Sequence, residues 1–144
     1  MISCFLAGGL GNQMFQIAAT YAHASKNRDT CAFDLKQGNF TQKPAYFYKD
    51  SIYFRVKETH LSDFEGRTKY YEPQFNYTSI PYEQGMLLHG HFQSEKYFCE
   101  FRNEILELFL NSRILTELRK KFASILVDSV SMHIRRGDYL LLSD

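Results

Sequence analysis

The feature that most constrains this chain is the glycine cluster Gly8-Gly9-Leu10-Gly11, which stops one apolar run and is followed at once by a helical period. Ile2 to Ala7 reads as a short buried strand, and Gly8 to Asn12 as a tight turn. Beyond the turn, Met14, Ile17, Ala18, Tyr21 and Ala22 recur at spacings of three and four. This predicts a helix from Gln13 to about Asn27, with Asn12 as its N-cap. Thr30 to Leu35 is a second strand-like run. Strand, turn, helix and strand in so short a stretch make a βαβ unit, which commits the chain to a parallel sheet with helical cover, an α/β fold.

Lys36 to Gln84 is rich in Tyr and Phe, holds Pro44, Pro73 and Pro81, and predicts long loops with short helices. Its aromatic rings either line a sugar-binding cleft or cover a sheet edge. Met86 to Phe92 predicts a strand. Ser94 is the expected N-cap of a helix carrying Tyr97, Phe98, Phe101, Ile105, Leu108 and Phe109 on one face. A second helix is expected from about Arg113 through Ile125. Val130, Met132 and Ile134 then alternate with Ser131, His133 and Arg135, which predicts a last strand over Val127 to Ile134.

Charge and cysteine content exclude several classes. Seventeen Lys and Arg against sixteen Asp and Glu leave a net charge of +1, so no bulk attraction to nucleic acid is expected and any anion must be held locally. Cys4, Cys31 and Cys99 suit neither a disulfide framework nor a zinc site and read as small core residues. With no apolar run of membrane-spanning length and no basic leader, a cytoplasmic location is expected, with attachment at a membrane surface as the alternative.

Three stretches are candidates for chemistry. Glycines between a strand and a helix let a ligand approach the backbone and face free helix N–H groups, so Gly9, Gly11 and Asn12 are candidate ligand contacts; a plain tight turn explains them equally well. His133-Ile134-Arg135-Arg136-Gly137-Asp138 places two guanidiniums after a predicted strand, with Asp138 able to orient one of them. This suits a diphosphate; a solvated surface turn is the alternative. In His89-Gly90-His91-Phe92-Gln93, two His share a strand face, but no further residue has the spacing to complete a metal site. His89 and Gln93 are instead candidates for hydrogen bonds to sugar hydroxyls.

Together these stretches carry a resemblance. Gly8-Gly9-Leu10-Gly11-Asn12-Gln13-Met14-Phe15-Gln16 resembles the N-terminal signature of the galactoside α-1,2-L-fucosyltransferases. Gly90-His91-Phe92-Gln93-Ser94-Glu95-Lys96-Tyr97-Phe98 is similar to their central motif, where the family often has Tyr in place of His91. Val130 to Tyr139 resembles their His-x-Arg-Arg-Gly-Asp donor motif, which is shared more widely among fucosyltransferases.

The resemblance implies a GT-B glycosyltransferase, with two Rossmann-like domains facing across a cleft. Residues 1–126 correspond to the N-terminal, acceptor-side domain, and 127–144 to the first strand and turn of a donor domain that is otherwise missing. GDP-β-L-fucose is the implied donor substrate, a galactose-terminated glycan the acceptor, and the 2-hydroxyl the site of inverting transfer, with no cofactor and no obligatory metal. Arg135 would bind the diphosphate with support from Arg136. His89, Glu95, His133 and Asp138 are the candidates for the general base such a reaction requires. At about half the family's usual length, the chain is expected to be inactive alone and to need a second chain or the missing half. The rival readings are a non-catalytic remnant that binds sugar or a partner chain, and a phosphate-binding module.

Overall fold

The computed structural model describes residues 1–36 and 43–134. Its contacts divide the chain into two compact units, Met1–Asn111 and Ser112–Asp144.

The first unit is α/β and is built on parallel strands. β1 (Ser3–Cys4) is followed by α1 (Leu10–Lys26), and further along come β2 (Lys69–Tyr71), β3 (Leu87–His89) and α2 (Arg102–Phe109). β3 lies between β1 and β2 and is parallel to both, with Cys4 opposite Leu88 and Tyr70 opposite Leu88 on the other side. The expected second strand, Thr30 to Leu35, is reduced to two parallel bridges, Cys31 with Ile2 and Phe33 with Glu58. It turns from one neighbour to the other: Ala32 N–H donates to Ile2, whereas Phe33 N–H donates to Lys57. The βαβ connection is therefore present with a shortened second strand.

Across the sheet the parallel segments run Glu58, Cys31–Phe33, β1, β3, β2. From β1 the chain passes first to one side and later returns on the other. The β1–β3 boundary is thus the place where the succession of strands changes direction.

Helix α1 begins earlier than its apolar period suggests. Its N-cap is Gly9, in extended conformation with φ −74°, and the first helical hydrogen bond runs from Gln13 N–H to the Gly9 carbonyl. Asn12 is therefore inside the first turn rather than at the cap. Left-handed backbone is needed at Gly8, with φ +77°, and not at Gly9 or Gly11. A Cβ on Gly8 would also stand 2.5 Å from Asn12 Nδ2, whereas one on Gly11 would meet open space. The inward face of α1 buries Gln13, Gln16, Ile17, Thr20 and Ala24. The core it helps to form contains Ile2, Cys4, Leu6, Phe33, Tyr53, Leu88 and Phe92.

The stretch from Lys36 to Gln84 holds short 3-10 helices at Ala45–Tyr48 and Leu61–Phe64, as expected, but also β2, which lacks an apolar alternation because Lys69 and Tyr71 are exposed. Its aromatic residues divide: Tyr53 and Phe64 are buried, while Phe75, Tyr77 and Tyr82 stay open to solvent. Ser94 does cap a helix, its Oγ accepting from Lys96 N–H, but this is a 3-10 turn, Glu95–Tyr97, and α-helix starts only at Arg102. Of the cysteines, Cys4 is buried, Cys31 half-buried and Cys99 exposed at the start of another 3-10 turn, so Cys99 is not a core residue.

In the second unit, α3 (Ser112–Leu126) is the second helix that the sequence predicts. The strand expected over Val127 to Ile134 is not formed among the described residues. Asp128 has a positive φ of 56°, and Val130, Met132 and Ile134 are exposed. A strand needs a neighbour to take its backbone hydrogen bonds, and alternation alone does not provide one. No helix of the described residues is long and apolar enough to cross a membrane.

The glycine geometry carries a prediction. Gly8→Ala should lower unfolding stability by about 1–3 kcal/mol, because it combines a left-handed residue with a collision against Asn12. Gly11→Ala should be neutral or raise stability by up to about 1 kcal/mol, as expected inside a helix with open space. Denaturant unfolding of the two variants tests the contrast; equal losses would contradict it.

Candidate functional site

Ligands of open parallel sheets bind beyond the carboxyl ends of the strands, where the strand order reverses. Here that place lies beyond β1 and β3, and it is occupied by the glycine turn, the first turn of α1 and the segment Gly90–Gln93. Three amide side chains of α1 organise it. Gln16 is almost wholly buried; its Oε1 accepts from Ala7 N–H at 3.0 Å and its Nε2 donates to the Gly90 carbonyl at 2.9 Å. Gln13, also buried, donates to the carbonyls of Gly8 and Lys43, at 2.9 and 3.1 Å, and accepts from the Tyr53 hydroxyl. At the surface, Gln93 Nε2 donates to Asn12 Oδ1 at 2.6 Å. Residues 81 positions apart are thereby joined beyond the ends of β1 and β3.

β2 supplies the other wall through Glu72, the residue after its last. Glu72 Oε2 accepts from the N–H groups of His91 (2.7 Å) and Phe92 (3.0 Å), and its Oε1 lies 3.4 Å from the Tyr97 hydroxyl. The chain must turn sharply to aim both N–H groups at one oxygen, and Phe92 adopts a φ of 50° to do so. Phe92 is nonetheless fully buried, so packing of its ring holds the strained backbone in place. Gly90 has no room for a side chain: a Cβ there would overlap Glu72 and stand 2.9 Å from the Phe92 ring.

In-register residues of three strands place their rings in a row at the same end of the sheet. His89 stacks between Phe5, with centroids 5.4 Å apart, and Tyr71, 4.8 Å apart. Tyr71 is 62% exposed, so the outer end of the row is open. His91 stacks instead on Phe75. Nε2 of His89 and Nδ1 of His91 are shielded from solvent without hydrogen-bond partners. Burial, reinforced by Lys69, pushes the His89 pKa below its ordinary 6.5 and favours a neutral ring. Among the described residues, no three His, Cys, Asp or Glu side chains are grouped to hold a metal ion.

The structure thus brings together Gly9, Gly11, Asn12, His89 and Gln93, five of the residues singled out from sequence. Glu95 is exposed in the 3-10 turn that follows, and His133 is exposed in the second unit. Arg135, Arg136 and Asp138 lie outside the described residues. Gln13, Gln16 and Glu72 were not assigned roles from sequence. For the two glutamines the signal was present, since they are polar residues one helical turn apart on the apolar stripe of α1. Glu72 had no such signal, because its role depends on a pairing between β2 and β3 that only the fold reveals.

Two outcomes are expected. Glu72→Ala should leave the His91 and Phe92 N–H groups without their acceptor, cost about 1–3 kcal/mol, and accelerate hydrogen exchange at those two amides. Unchanged exchange there would contradict the assignment. Separately, His89 and His23 both have pKa values below 6.5 in the folded protein, chiefly because of burial. Below pH 6.5 the unfolded chain then binds more protons than the folded one. Stability should therefore fall as pH drops through 6.5 towards the folded values, and His89→Phe should reduce that slope in pH-dependent denaturation curves.

Comparison with known proteins finds a family and two curated relatives. Over 157 aligned residues the chain is 27% identical to an alpha-1,2-colitosyltransferase of Escherichia coli, covering 94% of the chain and 54% of the relative. It is 31% identical over 186 residues to the O-antigen biosynthesis glycosyltransferase WbnK of Escherichia coli, covering 97% of the chain and 60% of that protein. The chain thus spans little more than half the length of these curated relatives. No solved structure gives a significant match. Residues 1–144, the whole of the sequence, match glycosyl transferase family 11, and the chain belongs to that family.

Proposed function

We propose that this chain is the acceptor-side part of a GT-B enzyme that transfers L-fucose from GDP-β-L-fucose to the 2-hydroxyl of a terminal galactose with inversion. The observation that carries the reading is the Asn12–Gln93 hydrogen bond. It joins two stretches that resemble fucosyltransferase motifs at the end of the sheet where ligands bind. This end of the sheet offers the Asn12 and Gln93 amides and the open ring of Tyr71, groups suited to sugar hydroxyls and to the apolar face of a sugar ring. His89 and Gln93 are assigned to the acceptor, and Gly9, Gly11 and Asn12 to the donor side. Membership of family 11 supports glycosyl transfer, and the α-1,2 linkage in one relative's name supports the 2-hydroxyl. That same name favours a second reading of the donor, in which the sugar transferred is colitose.

On this reading Arg135 contacts the β-phosphate and Arg136 reinforces it, while Asp138 restrains the pair. A guanidinium there stabilises the charge that develops on the diphosphate as the glycosidic bond breaks. The residues assigned to the reaction are Arg135, His133 and Asp138, with the proton of the acceptor hydroxyl passing to His89, Glu95, His133 or Asp138.

The test is made in a chain completed with the remaining part of a family 11 transferase. Calorimetry with GDP-fucose, a galactoside and inorganic phosphate separates the classes. Donor binding followed by transfer supports the proposal; galactoside binding without donor binding would favour a sugar-binding remnant, and phosphate binding without preference for guanine a phosphate module. Transfer from a colitose donor in preference to GDP-fucose would select the second reading. Arg135→Ala should lower kcat/KM at least ~100-fold, about 2.7 kcal/mol of transition-state stabilisation. Arg135→Lys should recover little, because an ammonium does not reproduce the planar guanidinium fork. Near-normal turnover of Arg135→Ala would refute the phosphate role.

A further inference from the structure

A cavity of about 210 Å³ opens beside the C-terminal half of α1, between that helix and the segments around Tyr77–Tyr82 and Lys96–Phe101. Tyr97 is shared with the candidate site, where its hydroxyl lies 3.4 Å from Glu72, but the rest of the lining is distinct. His23, in the last turns of α1, stands eleven residues beyond Asn12, about 16 Å along the helix axis. Ala19 and Ala22 form an apolar floor, and Tyr77, Tyr82 and Tyr97 stand around it. Tyr77 and Tyr97 lie 4.9 Å apart at a tilt of 56°. Tyr77 and Tyr82 are both 44% exposed, so neither is committed to the core.

The second observation is His23 itself. It lines this cavity, is only 9% exposed, and its Nε2 has no hydrogen-bond partner. A buried polar atom left unpaired is costly unless something pairs with it. The Tyr82 ring lies against the imidazole at 6.1 Å and is tethered at its far end by a 3.4 Å contact to Asp29. His23 Nε2 is shielded from solvent, so a ligand reaches it by displacing a neighbour such as the Tyr82 ring.

We propose that this cavity is a second saccharide site, which takes one uncharged pyranose ring against Tyr77 and Tyr97 and pairs a ring hydroxyl with His23 Nε2. The size fits one ring and not a nucleotide sugar, since sites for larger ligands start at about 300 Å³. The lining carries one net positive charge. Lys26 and Glu100 pair across the lining at 3.7 Å, and Lys96 is the remaining cation of the wall. Burial and Lys26 push the His23 pKa down, so the imidazole is neutral and its Nε2 can meet a hydroxyl as donor or as acceptor. Asn27 and Ser79 add further polar groups at the rim. The site requires neither donor nor transfer, so it stands or falls apart from the proposed reaction.

The experiment is an NMR titration of the ¹⁵N-histidine-labelled chain with methyl β-D-galactopyranoside, and in parallel with inorganic phosphate. The expected result is a saturable shift of the His23 ring resonances with the pyranoside, on a curve distinct from any response of His89. Ser79→Trp, an exposed position on the rim, should fill the cavity and weaken that response at least tenfold. Tyr77→Ala should weaken it as well, and gives a second variant that leaves the core untouched. A silent His23, a response to phosphate stronger than to the pyranoside, or an unchanged response in both variants would overturn the proposal.

Discussion

One buried amide holds the working end of this fold together. Gln16 pairs its carbonyl oxygen with the backbone after β1 and its amino group with the backbone after β3. Two adjacent parallel strands end there with polar groups that no further strand takes up. Left unpaired, each would cost a sizeable part of a small domain's stability. A side chain with both a donor and an acceptor, placed on the buried face of α1, satisfies one group from each strand end. The glycine turn and the Gly90–Gln93 segment are consequently held at a fixed separation, and the Asn12–Gln93 contact at the surface depends on that separation. Shortening Gln16 by one methylene, as in Asn, would break at least one of the two bonds.

The parts of the fold read correctly from sequence are those in which local pattern and tertiary environment agree. β1 lies within the apolar run Ile2–Ala7, although only Ser3–Cys4 of it forms strand, α1 has a clear period, and the glycines between them mark a turn. The errors within that unit are of position. Asn12 is a good N-cap residue by type, but Gly8 in left-handed conformation lets Gly9 take the cap one turn early, and Asn12 then turns its amide toward Gln93. β2 was missed because its sequence, Lys69-Tyr70-Tyr71, sits at the sheet edge with only Tyr70 facing the core. Edge strands need not be apolar on both faces, so periodicity gives little warning of them. The reverse error occurred at Val127–Ile134, where the alternation is clear but no pairing accompanies it among the described residues.

The candidate site divides in the same way. Its glycines, Asn12, His89 and Gln93 were visible as motif residues, because unusual residue types stood at the ends of recognisable elements. What holds them in place was not visible. Glu72 reaches the His91 and Phe92 amides only because β2 lies beside β3, an arrangement set by strand order. No residue near Glu72 in sequence indicates it. The resulting backbone at Phe92 is strained, and the absence of space at Gly90 follows from the same carboxylate. A motif that appears in sequence as Gly-His-Phe-Gln is, physically, a turn wrapped around a glutamate from another strand.

The polar groups at this end of the sheet are mostly neutral. Gln13, Gln16, Asn12 and Gln93 are amides, burial favours a neutral His89, and the carboxylate of Glu72 is spent on backbone N–H groups. Of these, Asn12 and Gln93 are not buried and can meet the hydroxyls of a sugar with directional hydrogen bonds, but none of these groups is a cation for a diphosphate. With a net charge of only +1, the chain does not supply one by general attraction either. On the proposed reading the two tasks are therefore separated. The sheet end described here positions the sugars, and the Arg135–Arg136 pair meets the phosphate charge. This separation has a chemical rationale. A cation beside the acceptor hydroxyl would stabilise its oxygen but repel the developing positive charge at the sugar carbon under attack. A cation on the leaving group stabilises charge where it accumulates. Placing the guanidiniums on the departing diphosphate, and amides beside the acceptor, would give each part of the reaction the electrostatic environment it needs.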